Sequence, residues 1–252
     1  MIEIFILSII QGVTEFLPIS SSSHLIIITE YFNFKNQNLS VDVSLHIGSF
    51  LAVILYFKKD IYSFINNRDL FYKIVISSIP TILIGYILIK LNIIDYLRNI
   101  KIIGWTTLIF GALLYFSDKY KNEKIIENNF NYKSAIIIGI FQIFSLVPGV
   151  SRSGITITAA RFLKFERVNA AKISFLLSIP TLAAVSLYGV YNLINSNNFN
   201  VASINIFSIL LSFIVSFITI KYFLLYLKKF NLAVFVFYRV ILGLGILLFA
   251  YL

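Results

Sequence analysis

The chain has 252 residues, of which 59% are hydrophobic and 13% charged, against roughly 25% charged in an ordinary soluble domain. Its mean hydropathy is +0.89, its formal net charge is +10, and it contains no cysteine. Those values exclude a soluble globular class, a disulfide framework, a thiolate nucleophile and a Cys-ligated metal; the positive charge is read first as membrane topology rather than nucleic-acid binding.

The opening MIEIFILSII carries no Lys or Arg, and no small-residue cleavage site follows it, so no removable signal peptide is expected. Residues 1–29 are apolar but broken at Pro18 and at the four serines 20–23. Each half is too short to cross a hydrocarbon core of about 30 Å. Spans are predicted over 43–57, which is short and draws on its flanks, then over 71–92 and 102–117. A second interrupted region occupies 134–163, broken at Pro148, Gly149 and the triplet SRS. Three more spans are predicted over 173–194, 204–227 and 232–252. Irregular backbone at membrane depth is tolerated only inside protein or beside a wet cavity. Both interrupted regions are therefore predicted to be re-entrant helical hairpins.

Loop charge tests this layout. The stretches 58–73, 118–133, 164–172 and Lys228-Lys229 fall on one side and hold thirteen Lys or Arg, whereas 30–42, 90–101 and 195–203 hold four. That bias marks the first set as cytoplasmic, and it weakens if 134–163 is made to cross. The expected fold is an all-α polytopic membrane protein, one membrane domain over 1–252, with six transmembrane helices and two re-entrant hairpins. Each half, 1–117 and 134–252, is a hairpin followed by three spans. Three is odd, so the repeat is expected to be inverted, with hairpin 1–29 entering from outside and 134–163 from the cytoplasm. Gln11 precedes Ser20 by the nine residues that separate Gln142 from Ser151. Such repeats are typical of transporters.

PGVSRSGIT (148–156) and QGVTEFLPISSSSH (11–24) carry the candidate chemistry. In the first, a proline–glycine break precedes a helix start, whose free N–H groups and dipole suit an anion. Arg152 adds a planar fork suited to phosphate, and Ser151, Ser153 and Thr156 are candidate hydroxyl donors. In the second, Gln11 and Glu15 share a helix face, as do Ser21 and His24. A hydroxyl, an imidazole and a carboxylate are the parts of a hydrolytic site, and Ser20 and Ser22 join them as candidate substrate contacts. The alternatives are structural: serines bonding back to the preceding turn, an arginine snorkelling. His46 and Asp42, one turn apart at the start of a span, are left out of the catalytic set. Arg239 in FYRVILG reads as a helix–helix hydrogen bond or a snorkelling side chain.

At these two stretches the sequence resembles the undecaprenyl-diphosphatase family, the bacitracin-resistance type of polyprenyl diphosphate phosphatase; the likeness continues through VDVSLHIGSFLAV, KISFLLSIP and FYRVILG. The resemblance implies hydrolysis of undecaprenyl diphosphate to the monophosphate carrier, at the outer face of the bacterial cytoplasmic membrane, serving cell-wall synthesis. It implies catalytic roles for Glu15, Ser21, His24 and Arg152, with Gln11 at a position that is Glu or Gln in the family. Ser23 stands where the family usually has glycine, and Gln11 removes one carboxylate.

The expected chemistry is in-line attack by Ser21, with Glu15 or His24 taking its proton, or attack by an activated water. A divalent cation, Mg or Ca, is compatible through Glu15 but not required, and no dedicated metal cage is visible. Expected partners are the polyprenyl diphosphate and membrane lipids, without nucleic acid; a homodimer is compatible. The rival function is a carrier of polyprenyl phosphate or another anionic solute between leaflets. A phosphatidic-acid-type phosphatase fits poorly, because His24 and His46 are the only histidines.

Overall fold

The computed structural model describes residues 1–32, 34, 38–66, 68–120, 123–195 and 203–252; Lys35 and Lys121, counted among the loop charges, and most of the 195–203 loop lie outside these. Among the described residues every named element is a helix, with one isolated β-bridge between Lys124 and Phe165. A hairpin of α1 (Ile2–Thr14) and α2 (Ser21–Phe32) leads into α3 (Leu39–Tyr56), α4 (Lys58–Asn66), α5 (Arg68–Lys90), α6 (Ile93–Leu97) and α7 (Ile100–Asp118). After α8 (Ile126–Asn129), α9 (Tyr132–Ile143) runs into a 3-10 turn, Phe144–Leu146. Then come α10 (Arg152–Phe162), α11 (Arg167–Asn195), α12 (Ser203–Leu227) and α13 (Ala233–Tyr251).

Six of these helices, α3, α5, α7, α11, α12 and α13, are long and apolar enough to cross a bilayer. This is a multi-pass membrane protein. The six match the predicted spans, with displaced ends. α3 starts four residues early because Asn38 accepts a hydrogen bond from Val41 N at 3.0 Å and caps it. α11 starts at Arg167 and runs for 29 residues. Three short helices, α4, α6 and α8, form in stretches read as loops. Large apolar side chains such as Leu83, Trp105, Leu187 and Phe249 stay exposed on the outside, as a lipid-facing surface requires.

Hydrophobic burial does little to join helices within lipid, so close packing and small polar contacts take over. Ser49 on α3 lies 3.2 Å and 3.0 Å from the hydroxyls of Ser212 and Ser216 on α12. Ser212 Oγ donates to Leu45 O at 2.8 Å. On α5, Ser77 Oγ donates to Ala135 O of α9 at 2.9 Å.

The packing pairs the two halves. When α1, α2, α3, α5 and α7 are matched in order to α9, α10, α11, α12 and α13, α3 packs against its own counterpart α11, and α7 against α13. Likewise α1 packs on α12 as α9 packs on α5. The correspondence is incomplete, since α10 packs on α7 and α11 while α2 meets chiefly α1. As a result α10 is enclosed, buried continuously from Ser153 to Arg161. Half a helix with a broken end can stay in a membrane under such cover. Its far end is fastened by Asp118, which pairs with Arg161 at 3.0 Å and Arg167 at 2.9 Å and accepts from Leu232 N at 3.0 Å.

Candidate active site

Two broken turns meet at one carboxylate. Glu15 closes α1, its N–H bonded to Gln11 O, and its side chain is buried. Residues 15–20 then turn the chain back into α2, and residues 147–151 lead into α10. Ser20 and Ser151, the residues just before these two helices, both adopt left-handed backbone, with φ of 74° and 70°. A non-glycine residue held there costs about 1–3 kcal/mol, a strain that tends to collect at functional sites. At Gly149 the turn has φ +94°, and a Cβ would lie 2.0 Å from Thr106 Oγ1; only glycine fits.

The carboxylate is gripped from three directions. Ser21 Oγ donates to Glu15 Oε2 at 2.7 Å, and Gln11 Nε2 donates to the same oxygen at 3.0 Å. Arg152 Nη2 donates to Oε1 at 2.6 Å. Ser21 and Arg152 are the first residues of α2 and α10, so the start of each helix contributes one arm. Two polar atoms are left over. Arg152 Nη1 and Gln11 Oε1 are buried and have no hydrogen-bond partner. Such groups are costly in a protein interior, and here they belong to residues that bond the same carboxylate as Ser21. Gln11 and Ser21, with Ser22, line a cavity of about 450 Å³ whose wall also includes Asp42, His46 and Arg98.

The remaining candidates divide. Ser151 Oγ caps α10 by accepting from Gly154 N at 3.1 Å, and Ser153 Oγ donates to Leu17 O at 2.7 Å, tying the second turn to the first. Ser20 Oγ lies 2.9 Å from Ser23 Oγ and 3.3 Å from Ser22 Oγ. Thr156 is turned away: its hydroxyl donates to Arg152 O at 2.8 Å and lies 2.7 Å from Ser174 Oγ on α11. His24 does not reach Ser21. Its Nδ1 lies 2.6 Å from Ser20 O and its Nε2 2.6 Å from the Tyr238 hydroxyl, with the two rings stacked. A carbonyl only accepts, so Nδ1 carries the proton, and in the neutral ring Nε2 accepts from Tyr238.

Several neighbours were not legible in the sequence. Gln11 Nε2 lies 3.2 Å from His46 Nδ1, which brings His46 beside the carboxylate. Arg239 does not snorkel; it is fully buried. Its guanidinium donates to Pro18 O (3.2 Å), Gly149 O (2.8 Å), Val150 O (3.0 Å) and Thr107 O (3.2 Å). One side chain thus stitches both turns to α7 and α13. The usable signal was that an ionisable residue inside a membrane helix is functional by default.

A metal has no dedicated cage: among the described residues no group of three His, Cys, Asp or Glu is placed to hold one. The unpartnered Gln11 Oε1 and the Glu15 carboxylate are the oxygens that would meet a divalent cation carried in with a phosphate.

Comparison with known proteins places this geometry in a lineage. A family model described as "Bacitracin resistance protein BacA" matches residues 4–245. The chain is 48% identical over 251 residues to the Undecaprenyl-diphosphatase of Pelagibacter ubique (strain HTCC1062), covering 99% of this chain and 98% of that one. It is 41% identical over 252 residues to the Undecaprenyl-diphosphatase of Saccharophagus degradans, covering 95% and 94%. Against that of Jannaschia sp. (strain CCS1) it is 37% identical over 261 residues, covering 98% of each. With the match running through both broken turns and all six long helices, the chain belongs to the bacitracin resistance protein BacA family.

Proposed function

We propose that this protein hydrolyses undecaprenyl diphosphate to undecaprenyl phosphate and inorganic phosphate. It thereby recycles the lipid carrier for cell-wall synthesis and confers bacitracin resistance. The relatives' names support the reaction. The observation that carries the site is the Glu15 carboxylate, shared between a serine hydroxyl and a guanidinium that keeps one N–H free. The relatives support a bacterial cytoplasmic membrane, and the loop charges favour a site facing outside with the two hairpins re-entrant from opposite leaflets. The exchange of packing partners between the halves supports an inverted repeat.

In the mechanism, Ser21 Oγ attacks the terminal phosphorus as its proton passes to Glu15 Oε2. An Oγ–P bond forms, the bridging P–O bond breaks, and the lipid monophosphate leaves. Arg152 Nη1 and the N–H groups at the starts of α2 and α10 hold the equatorial oxygens, where phosphoryl transfer needs charge stabilised. Glu15 yields that proton to the departing lipid phosphate. Water then attacks the phosphoserine, giving a proton to Glu15, which returns it to Ser21 Oγ as the Oγ–P bond breaks and inorganic phosphate departs. Glu15 is the base rather than His24, whose two nitrogens are engaged elsewhere. A divalent cation, when bound, would neutralise diphosphate charge at Glu15 and Gln11.

The packing symmetry also suits a carrier that moves the lipid between leaflets. Phosphate release by purified protein in detergent micelles, where no second leaflet exists, decides between the two. Release from undecaprenyl diphosphate supports the hydrolase; none from well-folded protein leaves the carrier.

A further inference from the structure

A guanidinium other than that of Arg152 lines the cavity that holds Ser21. Arg98 lies in the short connection between α6 and α7, is exposed, and is the one permanent cation among the described residues lining that cavity; Asp42 is the one carboxylate. No ion pair ties Arg98 down among the described residues, whereas Arg152 is paired with Glu15, and Arg161 and Arg167 with Asp118. Loop charge does not account for it either, since the 90–101 stretch falls on the side poor in Lys and Arg.

A diphosphate ester presents two phosphates, and the knot around Glu15 has donors for one. Arg152 Nη1 and the helix-start N–H groups serve the terminal phosphate, next to Ser21 Oγ. The lipid-bearing phosphate must lie further out, and it gains negative charge as the bridging bond breaks. A planar guanidinium suits that group. The surrounding wall carries Ile26, Ile94 and Val185, which offers the first isoprenyl carbons an apolar path beside the charge.

We propose that Arg98 binds the lipid-linked phosphate of the substrate and retains it in the product. It would thereby set the preference for a diphosphate ester over a phosphate monoester. This rests on reading the Ser21 site as a polyprenyl diphosphate hydrolase.

The test uses purified Arg98→Gln and Arg98→Lys proteins in detergent micelles. It measures phosphate release from undecaprenyl diphosphate and its inhibition by undecaprenyl monophosphate or by inorganic phosphate. The monophosphate carries only the lipid-linked phosphate, and inorganic phosphate stands in for the terminal one. For Arg98→Gln, KM and the inhibition constant of the monophosphate rise by about tenfold or more, as loss of a charged hydrogen bond implies. The constant for inorganic phosphate stays within about twofold. Arg98→Lys falls between wild type and Gln, and carries the comparison if the Gln protein does not fold. Unchanged monophosphate inhibition, or equal weakening of both inhibitors, overturns the assignment. Absence of phosphate release from wild type instead defeats the hydrolase reading on which it rests.

Discussion

Ser21 and Glu15 are joined by a hydrogen bond of 2.7 Å, with the serine as donor. That direction matters, because the proton already points along the path it must travel when the hydroxyl becomes a nucleophile. Glu15→Gln keeps the shape but removes the acceptor charge. Phosphate release should fall by about 10²–10⁴-fold, the usual worth of a positioned base, and a steady-state assay on undecaprenyl diphosphate measures it.

If Ser21 is the attacking group, it carries phosphate for part of each cycle. Acid quenching during turnover of substrate labelled on the terminal phosphate should recover label on Ser21, located by peptide mass. Ser21→Ala should abolish both label and turnover. A fully active alanine protein would instead assign the attack to water.

The Arg152–Glu15 pair, at 2.6 Å, joins a buried carboxylate to a guanidinium that is only slightly exposed. Removing one partner strands the other charge, a loss of about 3–5 kcal/mol. Arg152→Met should therefore lower the thermal unfolding midpoint in detergent as well as activity. The double change Arg152→Met with Glu15→Gln should recover much of the stability and none of the activity. That non-additivity is expected for residues in contact.

Tyr238→Phe removes the donor to His24 Nε2 but leaves the stacked ring. If His24 only braces the turn through Ser20 O, activity should fall by less than tenfold, whereas His24→Ala should cost more by freeing the turn. Equal, large losses in both proteins would return His24 to the proton transfer itself.

Local pattern made the six spans, both breaks and the trio of Glu15, Ser21 and Arg152 legible. Apolar run length marked the spans, proline and glycine marked the turns, and helical spacing paired Gln11 with Glu15. Partners distant in the chain left no such trace. His24 and Tyr238 are 214 residues apart, and Gln11 and His46 are 35 apart. Arg239 was legible only in part: its bond to Thr107 O on α7 is the helix–helix contact expected, while its reach to both turns was not visible. Its partners are backbone carbonyls, which every residue possesses, so nothing in the letters of 18, 149 or 150 advertises a cation. Thr156 shares a turn with Ser153, yet α11 claims its hydroxyl; spacing along one helix says nothing of which neighbour lies alongside.

Arg239→Met should lower the unfolding midpoint strongly, since four carbonyls lose their donor, and should depress turnover although the side chain touches no reacting atom. Arg239→Lys, with a compact ammonium in place of the fork, should recover only part of either.

A cation seated among the peptide oxygens of both turns, with no ion pair among the described residues, acts as a keystone. Sliding one half past the other at this depth would pull that charge from its oxygens with only hydrocarbon to receive it. The heart of the molecule is thus built to stand still, and whatever yields during turnover must be sought nearer its rim.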